Sequence, residues 1–132
     1  MTQSLQPAIR RIDTGRADLL GFEVWGAIAK DDIERMAATV EAAFDSVDVI
    51  DMIIVIHHYD GMELGAAFDP AGLRAQARAA RHVRKYAVVG APAWAEAMIN
   101  LMAPLSPVEA RTFSLTEEPM AWFWVKEREN QS

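Results

Sequence analysis

The sequence predicts an α/β domain built on a mixed, mostly parallel sheet of about five strands with about four helices. Three observations carry that prediction. Residues 20–28 alternate with period two. The run Val49 to Ile56 is β-branched and apolar almost without a break. Each later strand-like segment is separated from the next by one whose apolar residues recur at helical spacing. The order reads β-β-α-β-α-β-α-β-α, and strands alternating with helices call for right-handed crossovers and so for parallel pairing.

Ile9 and Ile12 flank Arg10 and Arg11 in a short first strand, and Asp13-Thr14-Gly15 supplies a turn. Leu20, Phe22, Val24, Gly26 and Ile28 then alternate with Gly21, Glu23, Trp25 and Ala27, the signature of a strand with one buried face. These two strands form an antiparallel pair. Asp31, three residues ahead of Glu34, is placed to accept from the free amides of a first helical turn. Ile33, Met36, Ala37, Val40 and Phe44 continue that helix, predicted over 32–45. The Val49–Ile56 run lacks alternation because a strand covered on both faces needs none, which makes it the centre of the sheet. It is expected to end in a turn at His57-His58-Tyr59-Asp60-Gly61.

Pro70 opens an Ala-rich helix over 71–84, followed by a short buried strand from Tyr86 to Gly90. Pro92 suits the first turn of a third helix carrying Trp94, Met98, Leu101 and Met102 on one side. Arg111 to Leu115 alternates as a last strand, and Met120 to Lys126 is an aromatic terminal element.

At 132 residues the chain suits one domain, expected over 8–126 with flexible ends at 1–7 and 127–132. The absence of cysteine excludes a disulfide framework, thiolate metal sites and a cysteine nucleophile. A formal charge of −6 argues against nucleic acid as a partner, since that affinity rests on neutralising phosphates. No signal peptide or spanning segment is evident, and the expected location is the cytoplasm.

Two asymmetries lie beneath these averages. From Pro70 to Ala95 there is no acidic residue, while Arg74, Arg78, Arg81, Arg84 and Lys85 all fall there; that window is +5 and leaves −11 for the rest of the chain. Arg74, Arg78, Arg81 and Lys85, at i, i+4, i+7 and i+11, fall on one face of a continuous helix. Such a stripe is either a solvated face or a dock for anionic headgroups or an acidic protein partner. The second asymmetry is that no Ser or Thr occurs between Ser46 and Ser106.

Gly21-Phe22-Glu23-Val24-Trp25-Gly26, the capped helix at Asp31-Asp32, Tyr59-Asp60-Gly61, Ala87-Val88-Val89-Gly90 followed by Trp94, and Ala121-Trp122 occur in an order and spacing that resembles the SpoIIAA-like proteins. These are bacterial relatives of the STAS domain, and the resemblance covers residues 8–126. It implies a (βα)n superhelix. It also implies one of two activities: partner binding switched by phosphorylation of a Ser after the central strand, as in STAS antagonists, or nonpolar-ligand binding with membrane association, as in the similar CRAL-TRIO carriers. The turn equivalent to the phospho-loop reads Asp60, Gly61, Met62, with no hydroxyl at the acceptor position. A phospho-switch needs that hydroxyl, so the Ser mechanism is not carried over.

No phosphate-binding Gly loop, nucleophile elbow or catalytic carboxylate pair occurs, so neither an enzyme nor a cofactor is expected. His57 and His58, adjacent on a strand, point to opposite faces and do not chelate one ion together, so no metal is expected either. The Met and Trp excess suits apolar surface: a ligand cavity, a bilayer contact or a homo-oligomer interface. The expected reading is a non-enzymatic module for a nonpolar small molecule or lipid, associating reversibly with the inner membrane face. Trp25, Tyr59, Met62, Phe68, Trp94, Met98 and Met102 are the candidates for the pocket and its lid. Arg74, Arg78, Arg81 and Lys85 are the candidates for headgroup or partner contact. The alternative is a STAS-like protein-interaction module without the Ser switch.

Overall fold

A computed structural model of the protein describes residues 7–62, 65, 69–102 and 108–127. Among them lie β1 (Ile9–Ile12), β2 (Leu19–Ile28), α1 (Lys30–Ser46), β3 (Ile50–Met62), α2 (Pro70–His82), β4 (Val83–Val89), α3 (Ala93–Met102), β5 (Glu109–Phe113) and, after a single turn of 3-10 helix, α4 (Glu118–Lys126). The strands stand in one sheet in the order β1-β2-β3-β4-β5. β1 runs antiparallel to β2, and β2 to β5 are mutually parallel. The element order, the hairpin and the central place of the β-branched strand are as the sequence predicts.

Parity divides the core. On one face Leu20, Phe22 and Val24 of β2 meet Val40 and Phe44 of α1, with Ile50 and Met52 of β3. On the other, Leu19, Ile53, Val55, Ala87 and Val89 pack against Ala121, Trp124 and Val125 of α4. Leu19 and Ile53 are fully buried, and burial of such a side chain contributes about 1.5–3 kcal/mol. α1 and α2 approach closely at Gly72, where a Cβ would lie 2.7 Å from Ile33 Cγ2.

Several boundaries differ from expectation. The cap of α1 is made by Asp32, not Asp31. Its buried carboxylate accepts from the amide of Ala29 at 2.8 Å and, across the hairpin, from that of Ala8 at 3.1 Å. β3 does not turn at His57 but continues to Met62, because the long strand β2 offers a partner as far as Ile28. α2 ends at His82, and Val83, buried and β-branched, already belongs to β4. The aromatic terminal element is a helix, which buries Trp124, half-buries Trp122 and leaves Phe123 exposed.

Candidate functional site

The parallel strands end together on one side of the molecule, where open α/β sheets hold their ligands. There the β2–β3 register shifts: Val24 pairs with Ile56, but Trp25 pairs with His58, so β3 carries His57 as an extra residue. The shift sets the His57 ring on the Trp25 indole, with centroids 4.2 Å apart and planes 14° from parallel. Glu23 Oε1 accepts from Trp25 Nε1 at 3.1 Å and lies 3.3 Å from His57 Nε2. His58 Nε2 lies 3.0 Å from Asp60 Oδ1. The two histidines thus pair with different carboxylates, and among the described residues no group of three metal-ligating side chains forms.

Beyond this pair the strand ends are apolar and open. Trp25 is 45% exposed and Met62, at the end of β3, is 41% exposed. Tyr59 is half-buried and packs against the core of the α1 face. Asp60, Gly61 and Met62 form the end of β3 rather than a free turn. Gly90 ends β4 at this level with φ +78, and a Cβ there would lie 2.4 Å from the Ile56 carbonyl oxygen. Phe68 lies outside the described residues, as do the side chains of Trp94, Met98 and Met102.

The basic stripe is rearranged. Arg74 and Arg81 are exposed on α2, and among the described residues neither makes an ion pair. Arg78 instead bridges to α1. It donates to Glu41 Oε1 at 2.6 Å and Asp45 Oδ1 at 2.8 Å, and its guanidinium lies 5.4 Å from the Phe44 centroid. Asp45 first, then Glu41, raise its pKa above the ordinary guanidinium value. Lys85 does not join the stripe. Helical spacing stops at His82, so the eleven-residue offset from Arg74 no longer places Lys85 on the same side. It sits in β4, 5% exposed, its Nζ donating to the carbonyls of Trp124 and Glu127 at 3.1 Å each. It caps the C-terminus of α4, where the helix leaves its last carbonyls without partners.

The opposite end of the sheet holds a charge cluster that the sequence reading missed. Asp51, 3% exposed, accepts from Arg84 Nε at 3.0 Å, Arg84 Nη2 at 2.9 Å and the Lys85 amide at 3.2 Å. Arg16 Nη2 reaches the same carboxylate at 3.4 Å while its Nε bonds Asp18 at 2.8 Å. Hydrogen bonding to Asp18 dominates over burial and raises the Arg16 pKa. One signal was present in the sequence: a lone acid in the apolar run Val49-Ile50-Asp51-Met52 has no reason to be there unless it is paired.

A five-stranded, mostly parallel sheet with α1 and α2 on one face, the terminal helix on the other and α3 crossing from β4 to β5 defines a STAS-like α/β module. The sequence profile of the SpoIIAA-like family matches residues 19–126, and the chain belongs to that family. Among solved structures it is similar to an uncharacterized protein with a SpoIIAA-like fold from Shewanella loihica PV-4. The identity is 23%, covering 95% of this chain and 98% of that one at a TM-score of 0.71, a likeness of fold. No curated protein matches the chain. Among the described residues no helix is long and apolar enough to cross a membrane.

Proposed function

We propose that this protein is a non-enzymatic binding module that takes a nonpolar small molecule or lipid chain at the C-terminal end of its parallel strands. The observation that carries this reading is the pair of large apolar side chains, Trp25 and Met62, left open to water on neighbouring strands at that end. Exposed apolar surface at a fixed topological position is better explained by an occupant than by packing. The Trp25 indole, ordered by His57 and Glu23, supplies a rigid wall, and Met62 an adaptable one. Arg74 and Arg81, free of carboxylate partners among the described residues, would orient the loaded module toward anionic headgroups. In this reading the Glu23–His57 pair serves to position the indole.

Native mass spectrometry of protein purified without detergent tests the reading, together with fatty-acid titration followed by tryptophan fluorescence. Bound acyl ligand is expected, with affinity falling about tenfold in Trp25→Ala, the loss of one large apolar contact. Delipidated protein that binds neither fatty acid nor anionic liposomes overturns it.

A second reading, a STAS-like protein-interaction module without a Ser switch, is favoured by the same exposed Arg74 and Arg81, which make no ion pair among the described residues. It predicts an acidic partner whose complex is lost on charge reversal at both positions while fatty-acid binding is unchanged.

A further inference from the structure

We propose that two copies of this chain pair antiparallel through β5, about a two-fold axis at Ala110, joining their sheets into one of twice the width. β5 is an outermost strand, bonded to β4 along one edge, and among the described residues nothing pairs with the other. An outer edge of this kind offers unpaired backbone groups to another strand.

Symmetry decides which edge can be used. Antiparallel pairing of identical strands places its two-fold axis perpendicular to the sheet, so one residue must lie opposite itself and side chains keep their face. In β1, whose sequence is Ile9-Arg10-Arg11-Ile12, centring on either middle residue sets Arg against Arg. Like charges directly opposite are destabilising. In β5 the sequence is Glu109-Ala110-Arg111-Thr112-Phe113. Centring on Ala110 puts Glu109 of each copy opposite Arg111 of the other, two complementary pairs on the α4 face. Centring on Arg111 would repeat the clash of β1, and centring on Thr112 would set Arg111 against Phe113, so within β5 the Ala110 register alone gives complementary charge pairs.

The α4 face supplies the apolar part. α4 packs over β3 and β4 and leaves the rim along β5 open. That rim is a depression lined by Arg111, Phe113, Met120, Phe123 and Trp124. Met120 is 60% exposed and Phe123 75%. In the proposed dimer the two α4 helices lie on the same face of the joined sheet, one on each side of the seam, separated by roughly four strand spacings, about 19 Å. Packed helices stand about 8–10 Å apart. At the larger separation only long side chains on the facing rims, such as Met120 and Phe123, can reach across the seam. The ligand reading uses none of these residues, so the inference stands apart from it.

Sedimentation equilibrium of the full chain across a concentration series tests it. A monomer–dimer equilibrium is expected, weakened about tenfold or more in Glu109→Arg and in Arg111→Glu, each of which sets two like-charge pairs across the seam. Mixing the two variants in equal amounts restores association, because in the mixed dimer each pair across the seam again joins one acidic and one basic side chain. Arg111 also lies over the Trp124 ring at 5.2 Å, so Glu109→Arg, at an exposed position without that contact, is the cleaner single change. A wild-type chain that stays monomeric overturns the proposal. So does a dimer that neither substitution weakens, or a mixture of the variants that does not associate.

Discussion

The two ends of the sheet solve the same problem in opposite ways. Where the parallel strands begin, polar groups are drawn inward and satisfied: the Asp51 carboxylate is buried and gathers donors from Arg84, Arg16 and the Lys85 amide. Where the strands finish, apolar groups are turned outward, with Trp25 and Met62 each more than two-fifths exposed. A stability-driven design would do neither. A paired charge inside contributes little net stability over an apolar replacement, and an exposed indole forgoes its burial. The charged end is best understood as fixing which residues meet, across thirty-three positions of sequence between Asp51 and Arg84. The apolar end is the surface on which the proposed ligand reading rests.

The contrast can be broken first at its strongest point. Asp51→Ala removes the buried acceptor shared by Arg84, Arg16 and the Lys85 amide, and is expected to cost about 3–5 kcal/mol, read as a lower urea midpoint. Replacing the carboxylate and Arg84 together by apolar residues recovers part of that loss. At the opposite end, Gly90→Ala forces a Cβ against the Ile56 carbonyl at a φ of +78. A loss of about 2–3 kcal/mol is expected, measured in the same way.

Between the ends, Tyr86 sharpens the comparison by pH. Part of the residue remains accessible, yet burial pushes its phenol up to about 12. The unfolded chain loses this proton near pH 10, before the folded one does. Stability is therefore full below about pH 10 and falls as pH rises toward about 12, by on the order of 2 kcal/mol. Urea midpoints across that range check it, with Tyr86→Phe removing the dependence. The smallest stability effect belongs to Trp25→Ala, under about 1 kcal/mol for an exposed ring, against the tenfold loss of acyl binding expected from the same change. A large stability loss there would make Trp25 a packing residue and weaken the ligand reading.

The sheet was legible because its signals are local. Period two from Leu20 to Ile28 and the β-branched run from Val49 specify one half-covered and one fully covered strand without reference to anything distant. The ends were less legible because their signals are tertiary. His57-His58-Tyr59-Asp60-Gly61 carries turn chemistry, and only the reach of β2 keeps it extended. The register shift that lays His57 on Trp25 has no counterpart in composition. Lys85 extended a helical stripe on paper, since nothing short of the strand partners Ile50 and Glu109 shows that the helix has stopped at His82. Trp25, by contrast, could be read as outward from parity alone.

Lys85 also bears on the order in which the molecule can be assembled. Its ammonium is held by carbonyls of Trp124 and Glu127, about forty residues later in the chain. During synthesis the lysine emerges first, and until α4 arrives that face of β4 cannot be covered without stranding a charge. Burial of that face of the sheet therefore waits for residues 121–127, whose Ala121, Trp124 and Val125 pack over it.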